Sequence, residues 1–144
     1  MSYHFEFETQ HRMLRACLEG VIGDEEVNRF RAEMARLVAE GRPSGCIVDL
    51  SDIQKYDISS ASIRVLGKSS PAVPGVTIPV IVVAPAAHIF GLTRMFQITS
   101  EETRPWFRVV KSCDEAYKAL RVTSPHFVPL PEDLEERKKM WAIP

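Results

Sequence analysis

The chain opens on alternation. Tyr3-His4-Phe5-Glu6-Phe7-Glu8 places Tyr3, Phe5 and Phe7 on one face and the polar residues on the other, the period of a half-buried strand. Met13 to Glu19 alternates as well, and the polar link Thr9–Arg12 predicts that the two strands pair. Gly20 and Gly23 then punctuate the chain. From Asp24 the period changes: Val27, Phe30, Met34, Leu37 and Val38 form one apolar stripe of a helix, with Asp24 as N-cap and Glu25 and Glu26 at its positive end. Gly41 and Pro43 stop it.

Cys46 to Leu50 is a short apolar run after a helix, the signature of a buried parallel strand. A short loop follows, and Ser59 or Ser60 caps a helix towards Ser70 with Ile63, Leu66 and Val65 as its core-facing positions. Pro71, Pro74 and Gly75 break the chain. Ile78 to Ala84 is the most β-rich segment and predicts a central strand after Pro79. Ala86 to Ser100 reads as a helix, Phe107 to Val110 as a short strand with Trp106 as its anchor, and Ser112 caps a helix over Cys113–Leu120. The fold class is therefore α/β: a mixed sheet of about five strands, an antiparallel first pair, and helices packed on it over residues 1–122. Residues 123–144 form a Pro-rich arm with a short helix from Pro131 to Trp141, acids first and bases last, which packs on the domain or on a second copy of the chain.

Bulk properties narrow the function. The 144 residues suit one domain, and 45% apolar content suits a folded one. Lys and Arg number 18 against 19 Asp and Glu, so no electrostatic footprint for nucleic acid or an anionic membrane exists. Cys17, Cys46 and Cys113 are odd in number and widely spaced, which speaks against a disulfide framework or a zinc site; Cys17 and Cys46 read as small core residues. The first nine residues lack the apolar stretch of a signal peptide, and Ile78 to Ala87 is too short to span a membrane, so a reducing cytoplasm is the expected compartment.

Val48-Asp49-Leu50-Ser51-Asp52-Ile53-Gln54-Lys55-Tyr56-Asp57-Ile58-Ser59-Ser60 resembles the STAS domains of anti-sigma-factor antagonists and sulphate-transporter regulators, whose apolar strand ends in Asp-Leu before a loop and a Ser-led helix. The segment Ile89 to Gln97 resembles bacterial STAS-like proteins of unassigned role. The resemblance implies a non-catalytic module that binds a protein partner, a kinase or anti-sigma-type regulator, through Asp57, Ser59, Ser60, Asp49 and Arg64. In antagonists a Ser at this helix start is phosphorylated, which suits a position where backbone N–H groups and the helix dipole favour anions. This chain has Ile58 where the first Ser would stand, and Ala61-Ser62-Ile63 replaces Gly-Leu-Gly.

Two other function classes stay open. Phe90, Leu92, Met95 and Phe96 are candidates to line a site for a small apolar or lipid-like ligand between helices and sheet. Ser59 or Ser60 with His88 and Asp57 or Asp49 is the best arrangement for a small hydrolase, although no Gly-x-Ser-x-Gly elbow is present. The histidines His4, His11, His88 and His126 are too scattered for a recognisable metal site, and no glycine-rich phosphate loop is present, so no cofactor is expected. Arg94 reads as a solvated helix residue or an anion contact, and Trp141 as an aromatic able to dock on a dimer mate.

Overall fold

The computed structural model describes residues 3–68 and 77–144. The alternating segments form β1 (Tyr3–Glu8) and β2 (Met13–Gly23), antiparallel as expected, and β2 runs four residues further than the alternation suggested. The turn between them is organised by the buried Glu8 carboxylate, which accepts from the backbone N–H of Gln10 and His11 at 3.1 and 2.8 Å. Helix α1 (Asp24–Gly41) buries the predicted stripe. Its N-cap is Gly23 rather than Asp24. Glu26 reaches back to accept from the Gly23 N–H at 3.0 Å, so the acid at the third helical position satisfies the helix start and Asp24 becomes its first residue.

Strand β3 (Gly45–Asp57) is the largest departure from the sequence reading, which ended the strand at Leu50 and placed a loop after it. Beyond Asp49 it pairs with β2 alone, since β4 (Val80–Val83) stops there. One edge faces solvent, so Ser51, Asp52, Gln54 and Lys55 are polar and exposed, while Ile53 stays buried. Helix α2 (Ser60–Lys68) follows with Ile63 buried, but Val65 is 72% exposed and belongs to the surface. The break expected at Pro71, Pro74 and Gly75 lies outside the described residues. Helix α3 (Ala87–Thr99), β5 (Phe107–Val110) and α4 (Cys113–Leu120) sit where the pattern put them.

The sheet order is β5-β4-β3-β2-β1-β6, with β2, β3, β4 and β5 parallel. The sixth strand, β6 (Val128–Pro129), lies inside the Pro-rich segment and pairs with β1. A two-residue strand containing Pro carries no periodicity; only the edge of β1 makes it a strand. Helix α5 (Leu134–Trp141) then returns across α1. Trp141 packs edge-on against Phe7, its centroid 4.7 Å away, and its Nε1 donates to Glu40 at 2.7 Å. Arg12 joins the ends of both helices, donating to the carbonyls of Trp141 and Gly41 at 2.7 Å each. Leu134 stays exposed.

Strand alternation divides the core. Ala16, Leu18, Val48, Leu50 and Val82 face α1 and α3, while Ile47, Ile81 and Val83 pack on Ala116 of α4.

Candidate functional site

The end of β3 and the start of α2 form an exposed corner. Asp57 is the last residue of β3, in register with Gly23 at the start of α1. Two residues later Ser59 caps α2. Its hydroxyl accepts from the Ser62 N–H at 3.1 Å and donates to the Ser62 hydroxyl at 2.9 Å. Ser60 is the first helical residue, and Asp57, Ser59, Ser60 and Arg64 are all exposed. Their proximity follows from the chain, since all four lie within eight consecutive positions. Val65 extends this surface, and Val21, in register with Lys55, is also exposed.

Asp49 does not join them. It alternates with Val48 and Leu50 and so points to the α4 side of the sheet, where its carboxylate accepts from the backbone N–H of Ser51 at 3.0 Å and lies 3.9 Å from Cys113 Sγ. His88 is exposed in the first turn of α3, and among the described residues no hydrogen bond links it to Ser59 or Ser60. The Ser59 hydroxyl is instead engaged by Ser62, which leaves the hydrolase arrangement without a nucleophile–base contact.

On the α4 side, Arg15 bridges Glu6 at 3.0 Å, donates to Tyr117 at 3.2 Å and stacks over Phe127 at 3.9 Å. Cys17 donates to the same Glu6 at 3.3 Å, so it sits in a polar network rather than the apolar core; burial pushes its thiol up to about 12. His4, Glu6 and Cys17 could in principle hold a metal ion, their ligand atoms lying within 4.8 Å of one another. The chemistry of the donors fits one poorly: Glu6 is already neutralised by Arg15, and the Cys17 thiol is held protonated. Arg94 lines a second cleft with Arg108 and Glu101.

The second feature is a cavity of about 220 Å³ between α1, α2, α3 and the sheet. Leu18, Phe30, Met34, Val48, Ile63 and Val82 are among its walls. Of the four residues proposed from the sequence to line such a space, Phe96 does so; Phe90, Leu92 and Met95 are half-buried elsewhere. Burial pushes the Tyr56 phenol at its edge up to about 12. Two arginines also line it, and sequence reasoning missed both. Arg31 follows Phe30 and precedes Met34 on the apolar side of α1, a cation at i+4 from Val27, which is a legible signal. Arg104, buried before Pro105 and Trp106, carries no local pattern. It lies over the Phe96 ring at 5.2 Å and donates to Thr103 at 3.1 Å and to the Gly67 carbonyl at 3.4 Å. Burial lowers the pKa of both guanidiniums, and the charge of Arg31 lowers that of Arg104 further.

No protein-family model matches this chain, and no curated protein matches it in sequence. Solved structures do match in fold. The phosphorylated form of the Bacillus cell fate determinant SpoIIAA superimposes with a TM-score of 0.50 at 20% identity, over 81% of this chain and 99% of that one. The unphosphorylated anti-sigma factor antagonist SpoIIAA gives 0.50 at 19% identity, over 83% and 99%. An anti-sigma factor antagonist from Mycobacterium paratuberculosis gives 0.51 at 20% identity, over 83% and 95%. The likeness is one of fold: a STAS-like mixed sheet with an antiparallel first strand pair, as the resemblance in the sequence implied. No helix among the described residues is long and apolar enough to cross a membrane.

Proposed function

We propose that this STAS-like chain is a non-catalytic regulatory module that binds a protein partner through the corner formed by Asp57, Ser59, Ser60, Arg64 and Val65. One observation carries the reading: a helix start with two exposed hydroxyls, beside a valine 72% exposed, on the fold of anti-sigma factor antagonists. The solvent-facing Val65 next to the charged Arg64 has no role in the core and is free to contribute apolar area to a contact. A phosphate on Ser60 or Ser59 would sit at the positive end of α2, stabilised by its backbone N–H groups, and would add about −1.5 to −2 charge to the contact surface. Ser60 is the better acceptor, because the Ser59 hydroxyl is used in the cap.

The test is affinity capture from the source cell with wild type, Val65→Glu, Ser60→Glu and Ser60→Ala as baits, quantified by mass spectrometry. The reading expects one partner retained by wild type and Ser60→Ala, and lost with Val65→Glu and Ser60→Glu. The same proteins captured by all four baits, or none by any, would overturn it.

A further inference from the structure

The cavity beneath α1 has a chemical asymmetry that protein binding at the α2 corner does not use. Its described lining is apolar apart from a few groups, and its only charged members are Arg31 and Arg104, with no acidic side chain among them. Among the described residues Arg31 makes no ion pair or hydrogen bond, although it is half-buried. Two like charges line the same space, and the charge of Arg31 disfavours that of Arg104. Burying a cation is unfavourable unless an anion or acceptors compensate it. An apolar lining that carries two cations and no acid is complementary to a molecule with an aliphatic tail and one anionic head.

Size narrows the choice. A cavity of about 150 Å³ lined by aliphatic side chains takes the six carbons of benzene; by the same proportion a space of 220 Å³ takes about nine. We propose that the cavity binds a medium-chain aliphatic carboxylate, its tail among Leu18, Phe30, Met34 and Val82 and its carboxylate at Arg31 and Arg104. Arg104 is positioned by the Gly67 carbonyl and the Phe96 face, and Arg31 projects from α1 beside it. Arg31 offers a forked donor that suits a carboxylate and Arg104 adds a second positive charge, with the paired rings of Phe96 and Phe107 in the same lining. The ligand is non-covalent, and no bond is made or broken.

The experiment is isothermal titration of the full chain with sodium decanoate and with decanol, supported by two-dimensional amide NMR to locate the site. Decanoate is expected to bind one to one and at least about tenfold more tightly than decanol, because only the carboxylate forms charge-assisted hydrogen bonds with the arginines. Arg31→Gln is expected to reduce the preference for decanoate over decanol by about tenfold. Ala35 also lines the cavity, so Ala35→Leu fills it from a helix position that favours leucine and should abolish binding of both ligands without loss of folding. Equal affinity for decanoate and decanol, unaltered preference in Arg31→Gln, binding retained by Ala35→Leu, or no binding of either ligand would each overturn the assignment. Circular dichroism establishes that both variants fold; if Arg31→Gln does not, the wild-type ligand preference and Ala35→Leu decide the question.

Discussion

Replacing Glu40 by Ala should destabilise the protein far more than an ordinary surface charge would. Glu40 closes α1 against α5. It accepts from Arg137 Nε at 2.8 Å and Nη2 at 3.0 Å, and from Trp141 Nε1 at 2.7 Å. The Arg137 side chain is only 8% exposed and that of Glu40 17%, so this pair is shielded from water. Removing one member of a buried pair typically costs about 3–5 kcal/mol, since the other charge is left uncompensated. Arg137 retains the carbonyls of Pro131 and Glu132 as acceptors, which places the expected loss near the lower end, about 3 kcal/mol. The contact of Glu40 with Arg36 is solvent-exposed and adds little. Ala is a better helix former than Glu, so propensity works against the effect rather than for it. At about 3 °C per kcal/mol for a chain of this size, the melting temperature should fall by about 9 °C.

The pH dependence has a definite sign. Arg137, then Trp141 and Arg36, hold the Glu40 carboxyl below its ordinary value of 4.5 against the opposing effect of burial. Its contribution is therefore fully present above pH 4.5 and is lost as pH falls through the lowered folded value. Urea denaturation of wild type and Glu40→Ala from pH 7 downward should show a constant gap that narrows below pH 4.5. The double variant Glu40→Ala/Arg137→Ala should lose less than the two single losses combined, by about 2 kcal/mol of coupling. A loss under about 1 kcal/mol in Glu40→Ala, or strict additivity in the double variant, would refute the reasoning.

Two further predictions concern local geometry. Gly41→Ala would place a Cβ 2.5 Å from the Trp141 ring, so despite the better helix residue the variant should lose about 1–2 kcal/mol, with tryptophan emission shifted to the red as the ring leaves its seat. An unshifted spectrum would mean that the ring adjusts in place. Ser59→Ala removes the cap on the Ser62 N–H and should cost about 1 kcal/mol in urea denaturation, whereas Ser60→Ala, at an exposed first helical position, should stay within about 0.5 kcal/mol. Equal effects of the two would show that Ser59 does not act as the cap.

Much of the fold is legible in local pattern because it is local. Period two marks β1 and β2, period 3.6 marks α1, and hydroxyls at Ser59 and Ser112 mark the starts of α2 and α4. Each signal lies within a few residues of the structure it dictates. The corner of Asp57, Ser59, Ser60 and Arg64 is legible for the same reason. The rest depends on partners far along the chain. The polar half of β3 is a strand only because β2 runs beside it, and Val128–Pro129 becomes β6 only at the free edge of β1. Glu40 and Arg137 are 97 positions apart, and neither has a local pattern that selects the other. Asp49 was separated from Ser59 by strand alternation about the sheet plane, which no sequence distance reveals. The cavity is the extreme case. Its walls come from α1, α2, α3 and four strands, and its volume is set by how closely those elements seat. A stripe of apolar residues determines that a face will be buried; only tertiary packing determines whether the buried space is filled, and that Arg31 and Arg104 line the same space.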